Sequence, residues 1–232
     1  GGDMLLPEPE LRSMIQLKAG DTFSRQKLTE STKKITDRLG NEGYAFANAN
    51  AVPELDKAAK RVGLTIMIDP GRRVYVRRIN ISGNTRSRDE VVRREMRQLE
   101  GAYYDSDKIQ KSKQRLDRLG YFTEVDVETP AVTGTSDQVD VNFKVKERPT
   151  GAITIGAGFS SSEKLILSGS ITQQNIFGSG KHVTANLSTS KINRNISLSY
   201  TDPYHTVDGV SRGFDVYSRC TDASMLGLGF YT

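Results

Sequence analysis

The sequence is poor in the residues that usually announce a reactive centre. There is one cysteine, Cys220, among 232 residues, which excludes an internal disulfide and a multi-cysteine metal site and leaves the redox compartment undetermined. The only histidines, His182 and His205, stand apart in a region that reads as strands, with Cys220 near neither, so a Cys–His or metal centre is not expected. No apolar run approaches the ~18–20 residues of a membrane helix, which excludes an α-helical span. Gly1-Gly2-Asp3-Met4 shows no basic stretch leading into an apolar one, so no targeting segment is read there. Charge is scarce in net terms too: 33 Lys+Arg against 28 Asp+Glu give +5 and a pI near 9.2, a weak pointer to acidic partners.

What charge there is lies unevenly. Residues 1–72 carry 11 basic and 10 acidic groups and 73–150 carry 16 and 13, but 151–232 carry only 6 and 5. The last segment holds 21 Ser+Thr, 10 Gly and a single proline, Pro203, whereas the other six prolines precede it. A domain boundary is therefore expected at Arg148-Pro149-Thr150.

The first 150 residues repeat. An offset of 81 aligns Leu11 with Val92, Ile15 with Met96, Gly20 with Gly101, Phe23 with Tyr104, Leu28 with Ile109 and Ile35 with Leu116. The offset then falls to 77, a loss of about one helical turn that keeps the apolar face in phase, and Tyr44 meets Tyr121. Val62, Leu64, Ile66 and Ile68 likewise meet Val139, Val141, Phe143 and Val145, alternating as half-buried strands do. In the second copy the spacing predicts a strand over Tyr75–Ser82, a turn at Gly83-Asn84, a helix over 87–98 and a break at Gly101. A second helix over Ser106–Leu119 follows, with Asp105 or Ser106 as N-cap and Gly120 as C-cap, then strands over 123–128 and 138–146. The unit is β-α-α-β-β. Carried backwards, the offset sets Gly83 on Gly2, so the opening strand of the first copy, 1–72, is expected to precede residue 1 and the chain to begin inside a domain.

From Ala152 the pattern changes to period two. Ile153, Ile155, Ala157 and Phe159 fall on one face and small or polar residues on the other. The alternation recurs at Leu165–Ile171, Val183–Leu187, Ile196–Tyr200, Phe214–Val216 and Leu226–Phe230, with turn-like stretches between, as in an antiparallel meander. A soluble sandwich places Lys and Glu on its wet face. Here the face opposite the apolar one is Ser, Thr, Asn, Gln and Gly, as in a membrane barrel with a lipid-facing band and a polar interior. Five or six strands fit where a closed bacterial barrel needs at least ~8, so truncation at the C-terminal end is expected as well.

Three local motifs invite chemistry. Asp105-Ser-Asp107 has the form of a metal-binding pair, but it opens a helix, where carboxylates offset the dipole. Gly178-Ser-Gly-Lys181 resembles the end of a phosphate-binding loop, yet position 175 is Asn and His follows the lysine, so the motif fails. Arg72, Arg73, Arg77, Arg78, Arg86, Arg88, Arg93, Arg94 and Arg97, with Tyr75, form a basic run suited to nucleic acid. Glu90, Glu95 and Glu100 interrupt it, and a solvated helix or a protein-docking face is the better reading. No convergent set of ionisable groups remains for an enzyme, and no cofactor is called for.

Two β-α-α-β-β units feeding alternating strands resemble the POTRA domains and barrel start of the BamA family of outer-membrane protein assembly factors. The resemblance is carried by Val74-Tyr-Val-Arg-Arg-Ile-Asn-Ile-Ser-Gly-Asn84, Arg93-Arg-Glu-Met-Arg-Gln-Leu-Glu-Gly101, Arg115-Leu-Asp-Arg-Leu-Gly-Tyr-Phe122, Asp137-Gln-Val-Asp-Val141, Lys144-Val-Lys-Glu-Arg148, Gln173-Gln-Asn-Ile-Phe-Gly-Ser-Gly180 and Asp202-Pro-Tyr204. Sister families of barrel transporters and insertases share such modules. The resemblance implies an α+β pair of POTRA domains at 1–72 and 73–149, the second next to the barrel. The first strands of a transmembrane β-barrel follow at 150–232. It places the POTRA domains in the periplasm and the strands in the bacterial outer membrane, with no enzymatic activity and no nucleic acid.

The implied partners are unfolded outer-membrane protein precursors, the lipid bilayer, and assembly-complex lipoproteins including a helical-repeat one. The helical-repeat lipoprotein maps onto the Arg93–Gly101 segment, with Arg93 and Glu100 as the contacts. Precursor strands are expected on sheet edges at 47–52 (Ala47, Ala49, Ala51) and 125–129 (Val125, Val127). The first barrel strand, Gly151–Ser160, is implied to form a weakly sealed gate involving Ile153, Ile155, Gly156, Ala157 and Gly158. Gly151, Gly156 and Gly158 lack side chains for packing across the seam, although they also suit close packing or a bend. The competing reading is a soluble tandem α/β binding module with a β-sandwich that engages nucleic acid or another polymer.

Overall fold

The computed structural model describes residues 5–222. Helices α1 (Glu8–Ser13) and α2 (Arg25–Asn41) precede the antiparallel pair β1 (Asn48–Asp56) and β2 (Arg61–Asp69). The second copy runs β3 (Tyr75–Ser82), α3 (Asp89–Arg93), α4 (Ser106–Leu119), β4 (Phe122–Glu128) and β5 (Gln138–Glu147), its sheet ordered β3-β5-β4. Five strands complete the described chain: β6 (Gly151–Ser160), β7 (Lys164–Gln173), β8 (His182–Thr189), β9 (Asn193–Asp202) and β10 (Arg212–Thr221). They pair antiparallel in sequence order, so among the described residues β6 and β10 are the edges. The strand expected at Leu226–Phe230 lies outside the described residues.

By compactness the chain separates into two units. Among the described residues one is 5–80 with Met96–Arg115 and Asp126–Lys144, the other Ile81–Glu95 with Leu116–Val125 and 145–222.

The repeat persists at atomic detail. On α2, Leu28 is half-buried and Ser31, Ile35 and Leu39 are buried; on α4, Ile109, Ser112 and Leu116 are buried at the matching positions. These i, i+3, i+4 spacings place one apolar face on each helix. In both copies a buried serine ties the incoming chain to the helix. Ser31 Oγ donates to Lys27 O (2.7 Å) and accepts from Gln16 N (2.9 Å). Ser112 Oγ donates to Lys108 O and accepts from Arg97 N, each at 2.8 Å. Helix α2 ends in a Schellman turn, with Gly43 at φ 99° and Tyr44 N bonded to Leu39 O, and Gly120 follows α4 at φ 75°. After each copy an arginine reaches back to the helix end, Arg73 Nε to Glu42 O (2.7 Å) and Arg148 Nε to Gly120 O (2.5 Å), where cations suit the dipole.

The helix expected over 87–98 is confined to Asp89–Arg93. Beyond it the backbone is satisfied by side chains instead. Ser112 takes the Arg97 N–H, and buried Gln98 donates to Leu99 O and Tyr103 O while accepting from Asp105 N. Past the turn bonds Arg94 N–Glu90 O and Glu95 N–Val92 O, these bonds take the place of a continued helical ladder as far as Gly101.

Candidate functional site

The strand register sorts the five-stranded sheet into two faces. Ile153 opposes Ile171, Ala157 opposes Leu167, Ala185 opposes Leu198 and Val216 opposes Leu198 from the far side, which makes one apolar face continuous across the sheet. Its residues are bare: Ile155 is 86% exposed and Ile153 73%. Thr154, Ser168, Ser170, Asn186, Ser188 and Ser197 line a hollow of about 560 Å³ on the other face. An apolar face left uncovered on a sheet with a polar hollow is what lipid on one side and water on the other demand.

The gate residues are all on β6. Ile153, Ile155 and Ala157 point to the apolar face, and Gly156 and Gly158 to the polar one. Gly156 is closely packed, since a Cβ there would stand 2.8 Å from Ser168 Oγ, and Gly151 is closer still to Gln173 Oε1, whereas Gly158 faces open space. Among the described residues β6 has one partner strand, β7.

In the α/β copies, Ala47 precedes β1 in a turn whose N–H bonds Tyr44 O, while Ala49 and Ala51 are strand residues. Ala47 and Ala49 pack on the core of Leu6, Ile35 and Leu39, so any edge contact there is a backbone one. Val125 is buried and Val127 half-buried on β4, an edge of its sheet. The outer edge of β3 is partly covered: Val76 N and O bond Ala102 O and Gly101 N, and Val74 O accepts from Tyr104 N.

Arg93 lies on the exposed side of α3, its Nε 2.9 Å from Asp89 Oδ2. Glu100 Oε1 accepts from Ile79 N at 2.9 Å, so this carboxylate also satisfies a backbone N–H in the middle of strand β3. Arg77 and Arg73 are also engaged. Arg77 forms a two-pronged pair with Asp140, at 3.0 and 2.6 Å, that holds the aspartate below its ordinary pKa. Arg73 lies 3.7 Å from the Tyr103 ring centroid, and Tyr103 stacks on Tyr75. Asp105 Oδ1 accepts from Asp107 N and Lys108 N, the capping role.

One feature had no reading in the sequence beyond the motifs that contain it. The turn between β7 and β8 clasps the segment 86–94. Asn175 adopts φ 52°, donates to Ser87 Oγ (2.8 Å) and accepts from Gly180 N (2.7 Å). Gly178 O accepts from Arg88 N, and a Cβ on Gly178 would stand 1.9 Å from Arg86 O. Arg94 lies 4.2 Å over the ring of Tyr204, in the turn after β9. Tyr121 Oη is 3.3 Å from both Gly180 O and His182 Nε2; burial pushes its phenol up to about 12, with Arg94 pulling the other way. Glu147 completes the clasp by accepting from Arg86 N, Ser87 N (2.7 Å) and Thr85 Oγ1 (3.0 Å). Burial draws its carboxyl up, but these donors outweigh it and leave the pKa low. The residues Gln173–Gly180 and Asp202–Tyr204 quoted above supply both turns; what they grip was invisible because their partners lie tens of residues away.

Comparison with known proteins agrees with this geometry. The POTRA family (surface antigen variable number repeat) matches residues 1–71 and 74–148, and the Omp85 superfamily domain matches 175–226. The outer membrane protein assembly factor BamA of Neisseria meningitidis is 42% identical over 94% of this chain. A crystal structure of BamA from Haemophilus ducreyi lacking POTRA domains 1–3 superposes with a TM-score of 0.80 at 38% identity, over 92% of this chain and 40% of that one. A Haemophilus influenzae BamA POTRA 3–5 structure gives 0.58 at 41% identity, over 60% of this chain and 55% of that one. The chain spans 27% of the length of the Neisseria protein. It therefore belongs to the BamA family of outer-membrane protein assembly factors, with its strands in the outer membrane and its POTRA modules in the periplasm.

Proposed function

We propose that this chain is the barrel-proximal part of a factor that receives unfolded outer-membrane protein precursors in the periplasm and inserts them into the membrane. The POTRA modules occupy 1–72 and 73–149, and the barrel begins at 150. The observation that carries the reading is the five-stranded sheet with a bare apolar face that directly follows two POTRA modules; among the described residues β6 is one of its edges. Unpaired N–H and C=O groups on such an edge bind an extended segment without regard to its sequence. Gly158, where an added Cβ would meet open space, contributes no side chain to packing on that strand. Strands β1 and β4 offer similar backbone edges near Ala49, Ala51, Val125 and Val127. The role is one of binding and placement and involves no covalent step. Full-length protein in liposomes is expected to accelerate the folding of added unfolded precursors; an unchanged rate overturns the reading.

Arg93 and Glu100 are proposed to dock a helical-repeat lipoprotein of the assembly complex. Both lie in the basic, carboxylate-interrupted run that suits a protein partner. Glu100→Lys is expected to weaken lipoprotein binding by calorimetry with the far-UV spectrum unchanged. Glu100→Gln retains an acceptor for Ile79 N and serves as the control for strand β3. Unchanged affinity of Glu100→Lys removes the residue from the interface.

A further inference from the structure

At the end of the five-stranded sheet where β6 begins, a cleft of about 570 Å³ opens between the chain at 147–151 and the turn after β7. We propose that it holds the phosphate-bearing headgroup of a membrane lipid in the leaflet facing the POTRA modules.

The lining carries the charge such a group needs. Arg86 and Arg148 border the cleft, and Lys146 joins them in the adjoining hollow of about 350 Å³. The one carboxylate in the lining, Glu147, already accepts from two backbone N–H groups and a hydroxyl, so it is turned into the fold. Arg148 is fixed at the rim by its bond to Gly120 O, which leaves the outer guanidinium nitrogens to a ligand.

A lipid rather than a free phosphate is indicated by what lies on either side. Gly151 pairs with Gln173 at the cleft, and two positions further along, ~7 Å, Ile153 pairs with Ile171 on the same face. Those isoleucines are 73% and 57% exposed and begin the apolar band. Below them Phe177, 89% exposed and held at φ 51°, is presented by the turn on the cleft wall. Acyl chain on the isoleucines, phosphate on the arginines and an aromatic ring at the headgroup level is the layering of a bilayer edge.

The proposal rests on the membrane placement of the strands and not on precursor insertion or lipoprotein docking. The test is native mass spectrometry of the full-length protein in detergent, titrated with phosphatidylglycerol or phosphatidylcholine, with inorganic phosphate as competitor. Wild type is expected to prefer phosphatidylglycerol. Arg86→Gln and Lys146→Gln are each expected to lower that affinity about fivefold, the effect of one cation at an anionic surface. Both side chains are exposed, and liposome flotation should be unchanged, which separates loss of this site from loss of membrane insertion. Phe177→Ser is expected to weaken lipid binding while leaving inorganic phosphate where it was. Equal phosphatidylglycerol binding in wild type and Arg86→Gln/Lys146→Gln overturns the site. Displacement by equimolar inorganic phosphate overturns the lipid as its occupant.

Discussion

The two copies of the α/β unit use the same local devices and reach different degrees of burial. Serine ties, C-terminal glycines and the i, i+4 ion pairs Arg12–Glu8 and Arg93–Asp89 recur in register, and each copy has a returning arginine. Yet Val139, Val141 and Phe143 are fully buried on β5, while their counterparts Val62, Leu64 and Ile66 on β2 are exposed or half-exposed. The second sheet has β3 beside β5, whereas among the described residues β2 has one partner strand. The local devices are written within each copy, whereas burying a central strand takes a neighbour on either side, as β5 has in β3 and β4.

The sharpest way to break the comparison is at the glycines. Gly83, at φ 88°, would place a Cβ 1.9 Å from Val145 O, and no side chain can yield because the obstacle is backbone. Gly83→Ala should cost at least about 4 kcal/mol, seen as loss of the main urea transition. The matched pair Gly20 and Gly101 faces open space, so alanine at either should cost only the left-handed strain of ~1–2 kcal/mol, equally in both copies.

The serine ties sharpen it at a smaller scale. Ser31→Ala and Ser112→Ala each leave a backbone N–H without its acceptor, and each should cost ~1–3 kcal/mol by urea denaturation. Similar values in the two copies would show that the tie acts independently of the surrounding core. A cost only at Ser112 would show that burial by the third strand gives it its worth.

The smallest effect concerns the clasp, which has no counterpart in the first copy. Because the folded pKa of Glu147 lies below its ordinary 4.5, its contribution is full above that pH and is lost as pH falls through the folded value. Glu147→Gln should therefore lower the urea midpoint at neutral pH, with the gap from wild type closing in acid. A gap that persists unchanged at pH 3 would assign the effect to packing rather than charge.

Much of this was legible beforehand. Strand β3 and helix α4 have the predicted limits, and the alternation from Ala152 identified the residues of the exposed apolar face, because period and caps are properties of neighbouring residues. The shortened α3 was not legible: Val91, Val92 and Met96 keep a helical spacing, but Ser112 and Gln98 capture the backbone groups that a longer helix needs. Of the site residues, Ile153, Ile155 and Ala157 could be placed from alternation alone. The bond of Glu100 to the mid-strand Ile79 N–H and the grip of Asn175 and Gly178 on 86–88 could not.

By itself, then, the sequence determined the repeat, the change from helical to two-residue period near residue 150 and the chemistry of each sheet face, since these follow from local spacing and side-chain polarity. Only the tertiary structure decided where α3 stops, which glycines face backbone and how the turn after β7 holds the second copy. Those outcomes depend on hydrogen-bond partners beyond the reach of a local pattern, from Ser112 with Arg97, 15 positions apart, to Glu147 with Ser87 and Asn175 with Ser87, 60 and 88 apart.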